Sequence, residues 1–313
     1  MGQTLSQVFP PTSKFSVNDI PDLSGKVMIV TGGYGGIGKE TVRALLNHNA
    51  KVYLAGRNSS HATAAIEELK KDTGKDAVFL QLDLASLKSV KRAADEFLSK
   101  EQQLDALFNL GGIMYLTNSP GNLDLTEEGF DIQWGTNLVG PYYFTKLLLP
   151  ALLAAAKSSP DKKVHVTFTA SQAQEKQIKF DTLTDTPERK KLGPDARYGQ
   201  SKMANVVISK EFARRFSDQG LVAFSLNPGG IKTPLQRNLP SIFRTLLSPL
   251  LYPPPMGALT HLWGVTSADS SYVNGQYLIP WARKGTALPE SQDPKLGEQL
   301  WKWLEEHVDS IPL

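Results

Sequence analysis

A glycine-rich turn between a predicted strand and a predicted helix constrains the fold of this chain more than any other feature. Residues 26–30, with the sequence KVMIV, form an apolar, β-branched run typical of a buried strand. Residues 39–49 place apolar side chains at helical spacing, and residues 31–38 between them read TGGYGGIG. Glycines allow the backbone to approach a pyrophosphate, whose charge then meets the free N–H groups at the start of the helix. This order of elements predicts a dinucleotide-binding turn.

The glycine turn fits two patterns. The general dinucleotide pattern G-x-G-x-x-G, which is weak when it stands alone, is satisfied by Gly33, Gly35 and Gly38. A second pattern, T-G-x-x-x-G-x-G, is satisfied by Thr31, Gly32, Gly36 and Gly38. A glycine-rich turn that binds nothing is the alternative. If the turn does bind a cofactor, the candidate contacts are Gly32, Gly36, Ile37 and Gly38.

Strands and helices alternate along the chain with short connections, which is the pattern of βαβ units and a parallel sheet. Strands are predicted at 26–31, 51–56, 77–82, 105–109, 163–169, 221–227 and 275–279. Helices are predicted at 37–49, 60–73, 86–101, 126–156, 196–218, 256–268 and 295–307. The predicted fold class is therefore α/β, a doubly wound parallel sheet (Rossmann fold) of about seven strands with helices on both faces.

The chain divides into three predicted parts. Residues 1–24 hold three prolines and are expected to form an extended leader over the surface. Residues 25–285 are expected to form a single Rossmann-type catalytic domain, in which residues 234–255 are the substrate loop. Residues 286–313 are expected to form a helical extension. Within the domain, Thr126 is the predicted cap of the helix 126–156, because two acidic residues follow it.

Composition excludes several classes of function. A hydrophobic content of 41% and a charged content of 21% are typical of a soluble globular protein. The net charge of +3 is small and the basic residues are scattered, which argues against nucleic acid as a partner. The chain has no cysteine, so disulfides, a thiolate nucleophile and cysteine metal sites are excluded, and we expect no metal.

The N-terminus lacks the apolar run of a signal peptide, and no run reaches the roughly 18 apolar residues that a membrane span requires. We therefore expect a cytoplasmic protein. Residues 1–6, with the sequence MGQTLS, match the pattern for myristoylation of Gly2, and a chance match in a frayed leader is the alternative. Because one acyl chain gives only marginal and reversible binding, any membrane contact would be peripheral.

The end of the second predicted strand bears on cofactor choice. An NAD-binding fold places an acid there to hold the ribose 2′-hydroxyl, whereas this chain has Gly56 followed by Arg57. A guanidinium suits the oxygens of a 2′-phosphate, so the sequence predicts NADP(H), with an ordinary surface arginine as the alternative. Asp83 ends the third strand and would accept from the adenine amino group, or else belong to the start of the next helix.

Tyr198 and Lys202 are four residues apart in a predicted helix, which puts both side chains on one face, about 6 Å apart along the axis. Tyr142 and Lys146 have the same spacing, so spacing alone does not identify the pair. Ser171 follows the strand 163–169 and should lie at the carboxyl edge of the sheet, where ligands of open α/β sheets bind. It precedes Tyr198 but follows Tyr142, whose aromatic and leucine neighbours indicate a packing role.

These positions predict acid–base chemistry. A free tyrosine has a pKa near 10, so its phenolate is scarce at neutral pH. Lys202, with a positive nicotinamide, would stabilise the phenolate of Tyr198. Tyr198 would then exchange a proton with a carbonyl or alcohol oxygen. Ser171 would hydrogen-bond the same oxygen. Asn137 interrupts an apolar helix and would hold a water that relays protons toward Lys202. Each residue alone has a structural alternative, but the four in order behind the glycine turn indicate a catalytic site.

With residues 226–233 (LNPGGIKT), these motifs resemble the short-chain dehydrogenase/reductase family over residues 20–285. Residues 135–137 (GTN) and 201–205 (SKMAN) are most similar to the branch of retinol dehydrogenases, the WW-domain oxidoreductase and protochlorophyllide reductase. The resemblance implies hydride transfer between a nicotinamide cofactor and a carbonyl or alcohol. It also implies cofactor contacts at Asn109, Gly111, Pro228, Gly229, Ile231, Thr233, Tyr198 and Lys202. Residues 109–112 read NLGG where the family usually carries N-N-A-G.

The loop 234–255 is rich in leucine and almost free of acids, which predicts a lid over an apolar ketone, aldehyde or alcohol. Met114, Tyr115 and Trp281 are candidates for the wall of the same pocket. The alternatives to a substrate lid are that these apolar residues pack within their own domain, or that the loop inserts into a membrane interface. Other functions kept open are reduction of a C=C bond by the same tyrosine and lysine, and an NADP-binding sensor without turnover. A homodimer through helices 126–156 and 196–218 is a further hypothesis.

Overall fold

The computed structural model describes residues 2–115, 123–233, 235, 251–267 and 269–309, which form an α/β protein built on one twisted sheet. The strands are β1 Val27–Thr31, β2 Lys51–Gly56, β3 Val78–Gln81, β4 Ala106–Asn109, β5 Val164–Thr169, β6 Leu221–Leu226, β7 Tyr277–Ile279 and β8 Arg283–Lys284. Their order in the described sheet is β3-β2-β1-β4-β5-β6-β7-β8, with β1 to β7 parallel and β8 antiparallel to β7. The doubly wound sheet is confirmed. The extra strand is too short to leave a periodic signal in the sequence.

Helices cover both faces of the sheet. They are α1 Gly2–Val8, α2 Gly36–Asn47, α3 Ser59–Thr73, α4 Leu87–Lys100, α5 Ile132–Trp134, α6 Gly140–Ser158, α7 Pro187–Lys191, α8 Pro194–Phe216, α9 Pro254–Thr266, α10 Ser270–Val273 and α11 Pro294–Asp309. A π-helical turn at Gly135–Val139 joins α5 to α6, and 3-10 turns lie at Val17–Asp19, Phe180–Thr182, Ser217–Gln219 and Pro289–Gln292. Apolar side chains of α2, α3 and α9 pack on one face, and those of α4, α6, α8 and α11 on the other.

Two predicted elements are corrected by the structure. The leader is not extended throughout, because α1 is a helix, and the chain after it buries Phe15, Ile20 and Leu23 in the core. The helix predicted from residue 126 starts at Ile132 instead. Its N-terminal N–H groups are capped by the Asp131 carboxylate, while Thr126 closes a separate turn by accepting from the Phe130 amide at 3.2 Å.

The C-terminal helix α11 completes the core. Trp301 makes edge contacts with Tyr142 of α6 and Phe212 of α8, at centroid distances of 5.4 and 5.1 Å. Leu300 and Leu304 are fully buried beside it. The helical extension therefore covers the outer faces of α6 and α8.

The run Ile132–Ser158 is long and apolar enough to cross a membrane by composition, with a mean hydropathy of 1.4 over its best window. Most of that window, 67%, is buried inside the protein, which is the position of a core helix of a globular domain. The substrate loop falls largely outside the described residues, which resume at residue 251.

Candidate active site

The glycine turn packs so closely that side chains are excluded at particular positions. A Cβ on Gly38 would lie 2.3 Å from the carbonyl oxygen of Gly32, and one on Gly32 would lie 3.1 Å from Cα of Gly111. Gly32 also has a φ of +67°, which disfavours other residues. At Gly35, by contrast, φ is −158° and nothing lies within 4 Å of an added Cβ. The structure therefore requires glycine at Gly32 and Gly38, as T-G-x-x-x-G-x-G does, and leaves the middle glycine of G-x-G-x-x-G unconstrained.

Thr31 ties this turn to the end of β4. Its hydroxyl accepts from the amides of Leu110 and Gly111 at 3.0 and 2.9 Å and donates to the carbonyl of Phe108. The helix α2 begins directly after the turn with Gly35 as its N-cap, a residue without a side chain to occupy the first N–H groups. A backbone cradle at a helix N-terminus results, and such a cradle suits an anionic phosphate.

A cleft of about 480 Å³ opens along the carboxyl ends of the strands from this cradle. It brings together most of the predicted site residues: Gly32, Gly36, Ile37, Gly38, Arg57, Asp83, Gly111, Ser171, Tyr198, Lys202, Pro228, Gly229, Ile231 and Thr233. Three of the four predicted catalytic residues, Ser171, Tyr198 and Lys202, thus line one continuous cleft with the glycine turn.

Tyr198, Ser171 and Lys202 form its polar centre. Tyr198 and Ser171 line the cleft together, and the Ser171 hydroxyl lies close enough to Tyr198 to lower its pKa. Lys202 lies one turn further along α8, with its Nζ 5.5 Å from the centroid of the Tyr198 ring. The ammonium donates to the carbonyl oxygen of Thr169 at 2.9 Å, and that oxygen also accepts from Nδ2 of Asn205 at 3.1 Å. Lysine and phenol are therefore both held against the end of β5.

Burial dominates the protonation of this centre. It raises the pKa of Tyr198 to about 12, against a smaller lowering by the neighbouring Ser171 hydroxyl. It lowers the pKa of Lys202 to about 8, because a buried ammonium loses its hydration. The sequence predicts that Lys202 and the cofactor together favour the phenolate, whereas the protein chain by itself favours the neutral phenol, a proton donor at neutral pH.

Asn137 sits in the π-helical turn, behind the cleft rather than on its wall. Its Nδ2 donates to the carbonyl of Ile113 at 3.0 Å and to Ser201 Oγ at 3.1 Å, and its Oδ1 accepts from the Ile113 amide at 2.8 Å. A Cβ on Gly112 would lie 2.9 Å from this Oδ1 and 3.7 Å from Nζ of Lys202. The carboxamide therefore positions the backbone beside Lys202; the water relay stays a prediction.

Two other predicted wall or cofactor residues, Asn109 and Trp281, point elsewhere. Asn109 is buried on the α6 side of the sheet, where its Nδ2 donates to Thr145 Oγ1 at 3.1 Å, so its side chain does not reach the cleft. Trp281 is also buried, packing under Gly229 and against the ring of Tyr252 at 5.1 Å. Of the proposed wall, Met114 lines the cleft, while the Tyr115 amide is held by Gln133 Oε1 at 2.8 Å.

Two cleft features were missed by sequence reasoning. The ring of Tyr34 lies over Gly56, where an added Cβ would be 2.2 Å from Cε1 of that ring. Thr136 lines the cleft, and within the described residues its buried hydroxyl has no hydrogen-bond partner. The signal for Thr136 was present, because it stands beside Asn137 in the polar interruption of an apolar helix. The glycine cradle and this free hydroxyl fit a phosphate-bearing, hydroxylated cofactor such as a nicotinamide dinucleotide.

Comparison with known proteins agrees with this geometry. A family model described as short chain dehydrogenase matches residues 26–181. A short-chain dehydrogenase/reductase of Armillaria gallica is 52% identical over 301 residues, which cover 96% of this chain and 96% of that protein. The crystal structure of an uncharacterized protein from Mycobacterium paratuberculosis has a TM-score of 0.74 at 25% identity, covering 96% of this chain and all of its own.

Two more distant crystal structures contain nicotinamide nucleotides. A short chain dehydrogenase from Shigella flexneri, complexed with NADP, has a TM-score of 0.64 at 22% identity and covers 82% of this chain and 98% of its own. A 3-ketoacyl-(acyl-carrier-protein) reductase from Brucella melitensis, complexed with NADH, has a TM-score of 0.63 at 21% identity and covers 82% and 96%. At these identities the likeness shows the fold alone.

Proposed function

Because this chain belongs to the short-chain dehydrogenase/reductase family, we propose that it is an NADP(H)-dependent oxidoreductase that interconverts an apolar ketone or aldehyde and its alcohol. The observation that carries the proposal is the placement of Tyr198, Ser171 and Lys202 together inside a cleft that continues into a glycine phosphate cradle. The narrower resemblance to the retinol dehydrogenase branch stays a prediction.

In this proposal the bound nucleotide supplies or accepts the hydride. During reduction, Tyr198 would donate its phenolic proton to the substrate oxygen, and Ser171 would hydrogen-bond that oxygen as negative charge develops on it. The raised pKa of Tyr198, about 12, keeps the proton available at neutral pH. During oxidation the tyrosine would take the alcohol proton, and the ammonium of Lys202 would stabilise the phenolate that this requires.

The choice of NADP over NAD is supported by two side chains at the end of β2. The ring of Tyr34 occupies the space that a side chain at residue 56 would need, so an acid cannot enter without moving it. Arg57 is exposed and lines both the cleft and an adjoining polar cavity that includes Lys88 and Arg92. The carboxylates of Asp83 and Glu127 line this cavity too, so the proposal depends on Arg57, which would meet a 2′-phosphate at the strand end where an NAD-binding fold has an acid.

An apolar substrate is supported by the described part of the wall. Leu84, Leu110, Met114 and Leu235 line the cleft. Apolar side chains around a few convergent polar groups are typical of sites for small apolar molecules.

NADPH consumption over a panel of apolar aldehydes, ketones and enones tests the function. We expect turnover by the wild type and its loss, by about a thousandfold or more, in Tyr198→Phe with NADPH binding retained. Tyr142→Phe is the matched control, because Tyr142 has the same spacing to a lysine but is fully buried against Trp301. Equal activity in wild type and Tyr198→Phe would contradict the assignment. NADPH binding without turnover in either would favour a sensor.

We also propose that the protein is cytoplasmic and contacts membranes only peripherally. Leu5 and Phe9 support such contact, because they lie close together near α1 with 62% and 57% of their surfaces exposed. Flotation with liposomes checks the proposal, and intact mass of protein from its native cell checks acylation of Gly2. Recovery of all the protein in the soluble fraction would dismiss membrane contact.

A further inference from the structure

The N-terminal helix α1 is fastened to the edge of the sheet by polar contacts. Gln3 donates from Nε2 to the Thr286 carbonyl at 2.7 Å and accepts from the Thr286 amide at 2.8 Å. Arg283 donates to the Ser6 carbonyl at 2.7 Å, and Gln172 donates to the Thr4 carbonyl at 3.3 Å. The helix therefore contacts residues 172, 283 and 286, which are all far from it in sequence.

Gln7 carries the innermost of these contacts. Only 6% of the residue is exposed, and its side-chain oxygen accepts from Asn227 Nδ2 at 2.9 Å. The same oxygen lies 3.3 Å from the hydroxyl of Tyr277. Asn227 and Tyr277 are each 4% exposed, so this acceptor satisfies polar groups that water reaches poorly.

Both partners of Gln7 lead directly to the cleft. The Oδ1 of Asn227 accepts from the amide of Gly229 at 3.0 Å, which fixes the turn that contains Pro228 and Gly229. The hydroxyl of Tyr277 also lies 3.1 Å from the carbonyl oxygen of Ser171, so its single proton is shared between β5 and α1. One amide oxygen thus joins the end of β5 to the loop after β6.

We propose that Gln7 is a positioning residue of the active site: by accepting from Asn227 it holds the loop 227–231, while the Tyr277 hydroxyl beside it shares its proton with the backbone of Ser171. The inference rests on the proposed function in one respect, namely that the loop 227–231 contacts the nucleotide. Gly229 has a φ of +89°, and a Cβ there would lie 3.1 Å from both Pro280 and Trp281. A loop so closely packed has few alternative arrangements, and loss of its Asn227 anchor should release it.

The test compares three variants of the full chain. Gln7→Met keeps the length of the side chain but removes the acceptor, while Gln7→Glu keeps an acceptor. Gln3→Met is the matched control, because it removes two hydrogen bonds from the same helix on the side of Thr286. Amide hydrogen exchange of residues 227–233, measured by mass spectrometry on protein without nucleotide, reports loop anchoring. NADPH binding, measured by fluorescence, reports the consequence.

We expect Gln7→Met to speed exchange in 227–233 about tenfold and to raise the Kd for NADPH about tenfold, because a buried donor is left unpaired. Gln7→Glu should keep the exchange rate and the Kd for NADPH close to their wild-type values, and Gln3→Met should change neither quantity. Equal effects of Gln3→Met and Gln7→Met, or unchanged exchange in Gln7→Met, would overturn the inference. Faster exchange in Gln7→Met with no NADPH binding by the wild type would sustain the anchoring role and reject the proposed function.

Discussion

Arg197, the residue before the proposed catalytic Tyr198, donates to the carboxylate of Asp131 at 2.7 Å, and both side chains are only 1% exposed. Arg189 donates to the same oxygen at 3.1 Å. The other oxygen caps α5 by accepting from the amides of Gln133 and Trp134. Asp131 therefore joins the start of the helix that carries Tyr198 to the helical run that carries Asn137.

Removal of the Asp131 charge should destabilise the protein strongly. Asp131→Asn removes the buried carboxylate that Arg197 and Arg189 share and leaves Arg189 paired with the half-exposed Asp185, a change that costs about 3–5 kcal/mol of unfolding free energy. Urea denaturation measures the loss. Asp185→Asn is the control, because Asp185 also pairs with Arg189 but its side chain is 47% exposed, so a loss below about 1 kcal/mol is expected. Similar losses in the two variants would contradict the role given to Asp131.

Single methyl groups test the glycine turn at Gly38, which both patterns require, and at Gly35, which only G-x-G-x-x-G requires. Gly38→Ala places a Cβ against the Gly32 backbone, so we expect a loss of about 1–3 kcal/mol in stability and a loss of NADPH binding. Gly35→Ala adds a Cβ to an extended residue with open space around it, so its stability should stay within about 0.5 kcal/mol of the wild type. Denaturation and NADPH titration of both variants check this. Equal tolerance at the two positions would refute the assignment of the turn.

Cofactor preference should depend on the guanidinium of Arg57. Arg57→Ala removes a charged hydrogen-bond donor from the proposed 2′-phosphate site, so the Kd for NADPH should rise about tenfold or more while the Kd for NADH stays constant. Arg57→Asp should reverse the preference toward NADH. Lys71→Ala, which removes an exposed cation at the far end of α3, is the control. An unchanged NADPH/NADH ratio in both Arg57 variants would exclude this residue from selection.

Much of the fold and of the cleft could be predicted because the signals are local. The strand–turn–helix order, the strand ends and the spacing of Tyr198 and Lys202 all depend on neighbours in sequence. The order of residues along the chain also distinguished Tyr198 and Lys202 from Tyr142 and Lys146, because only Tyr198 follows Ser171. In the structure Tyr142 is fully buried against Phe212, and Lys146 pairs at the surface with Asp309.

What escaped prediction depends on contacts between distant segments. Asp131 and Arg197 look like surface charges in the sequence and are buried only because they meet each other. Gln7 lies in a segment that the prolines mark as a leader, and its partner Asn227 is 220 residues away. The direction of Asn109 was accessible in principle, since side chains alternate along a strand. The family motif specifies an asparagine at this position but not the face of the sheet on which its side chain lies.

The C-terminal helix bears on the hypothesis of a dimer through α6 and α8. Because Trp301 already packs against Tyr142 and Phe212, we expect the intact chain not to associate through that face. Trp301→Ala should cost about 3–5 kcal/mol in stability, and truncation after residue 293 should cause self-association. Sedimentation velocity and denaturation measure these effects, with Lys302→Ala as the exposed control. A dimer of the intact chain that is lost when Tyr142 or Phe212 is altered would contradict the expectation.

His261 should make stability depend on pH. It is fully buried in α9, and within the described residues neither ring nitrogen has a hydrogen-bond partner. Burial, with a smaller effect of the Lys202 charge, lowers the pKa of His261 to about 3. In the unfolded chain the imidazole binds a proton below about pH 6.5, whereas the folded protein leaves it neutral, so stability is present above that pH and is lost as the pH falls toward 3.

At pH 5 the loss attributable to His261 is about 2 kcal/mol relative to pH 7.5. His261→Phe keeps a ring in the space and removes the titrating group, so the difference in unfolding free energy between the two pH values should shrink by that amount. Part of the dependence should remain, because burial also lowers the pKa of His165 to about 4. His61→Phe, at an exposed position, is the control and should behave as the wild type. Urea denaturation at both pH values decides: parallel pH dependence in wild type and His261→Phe would show that His261 is protonated without cost to the fold.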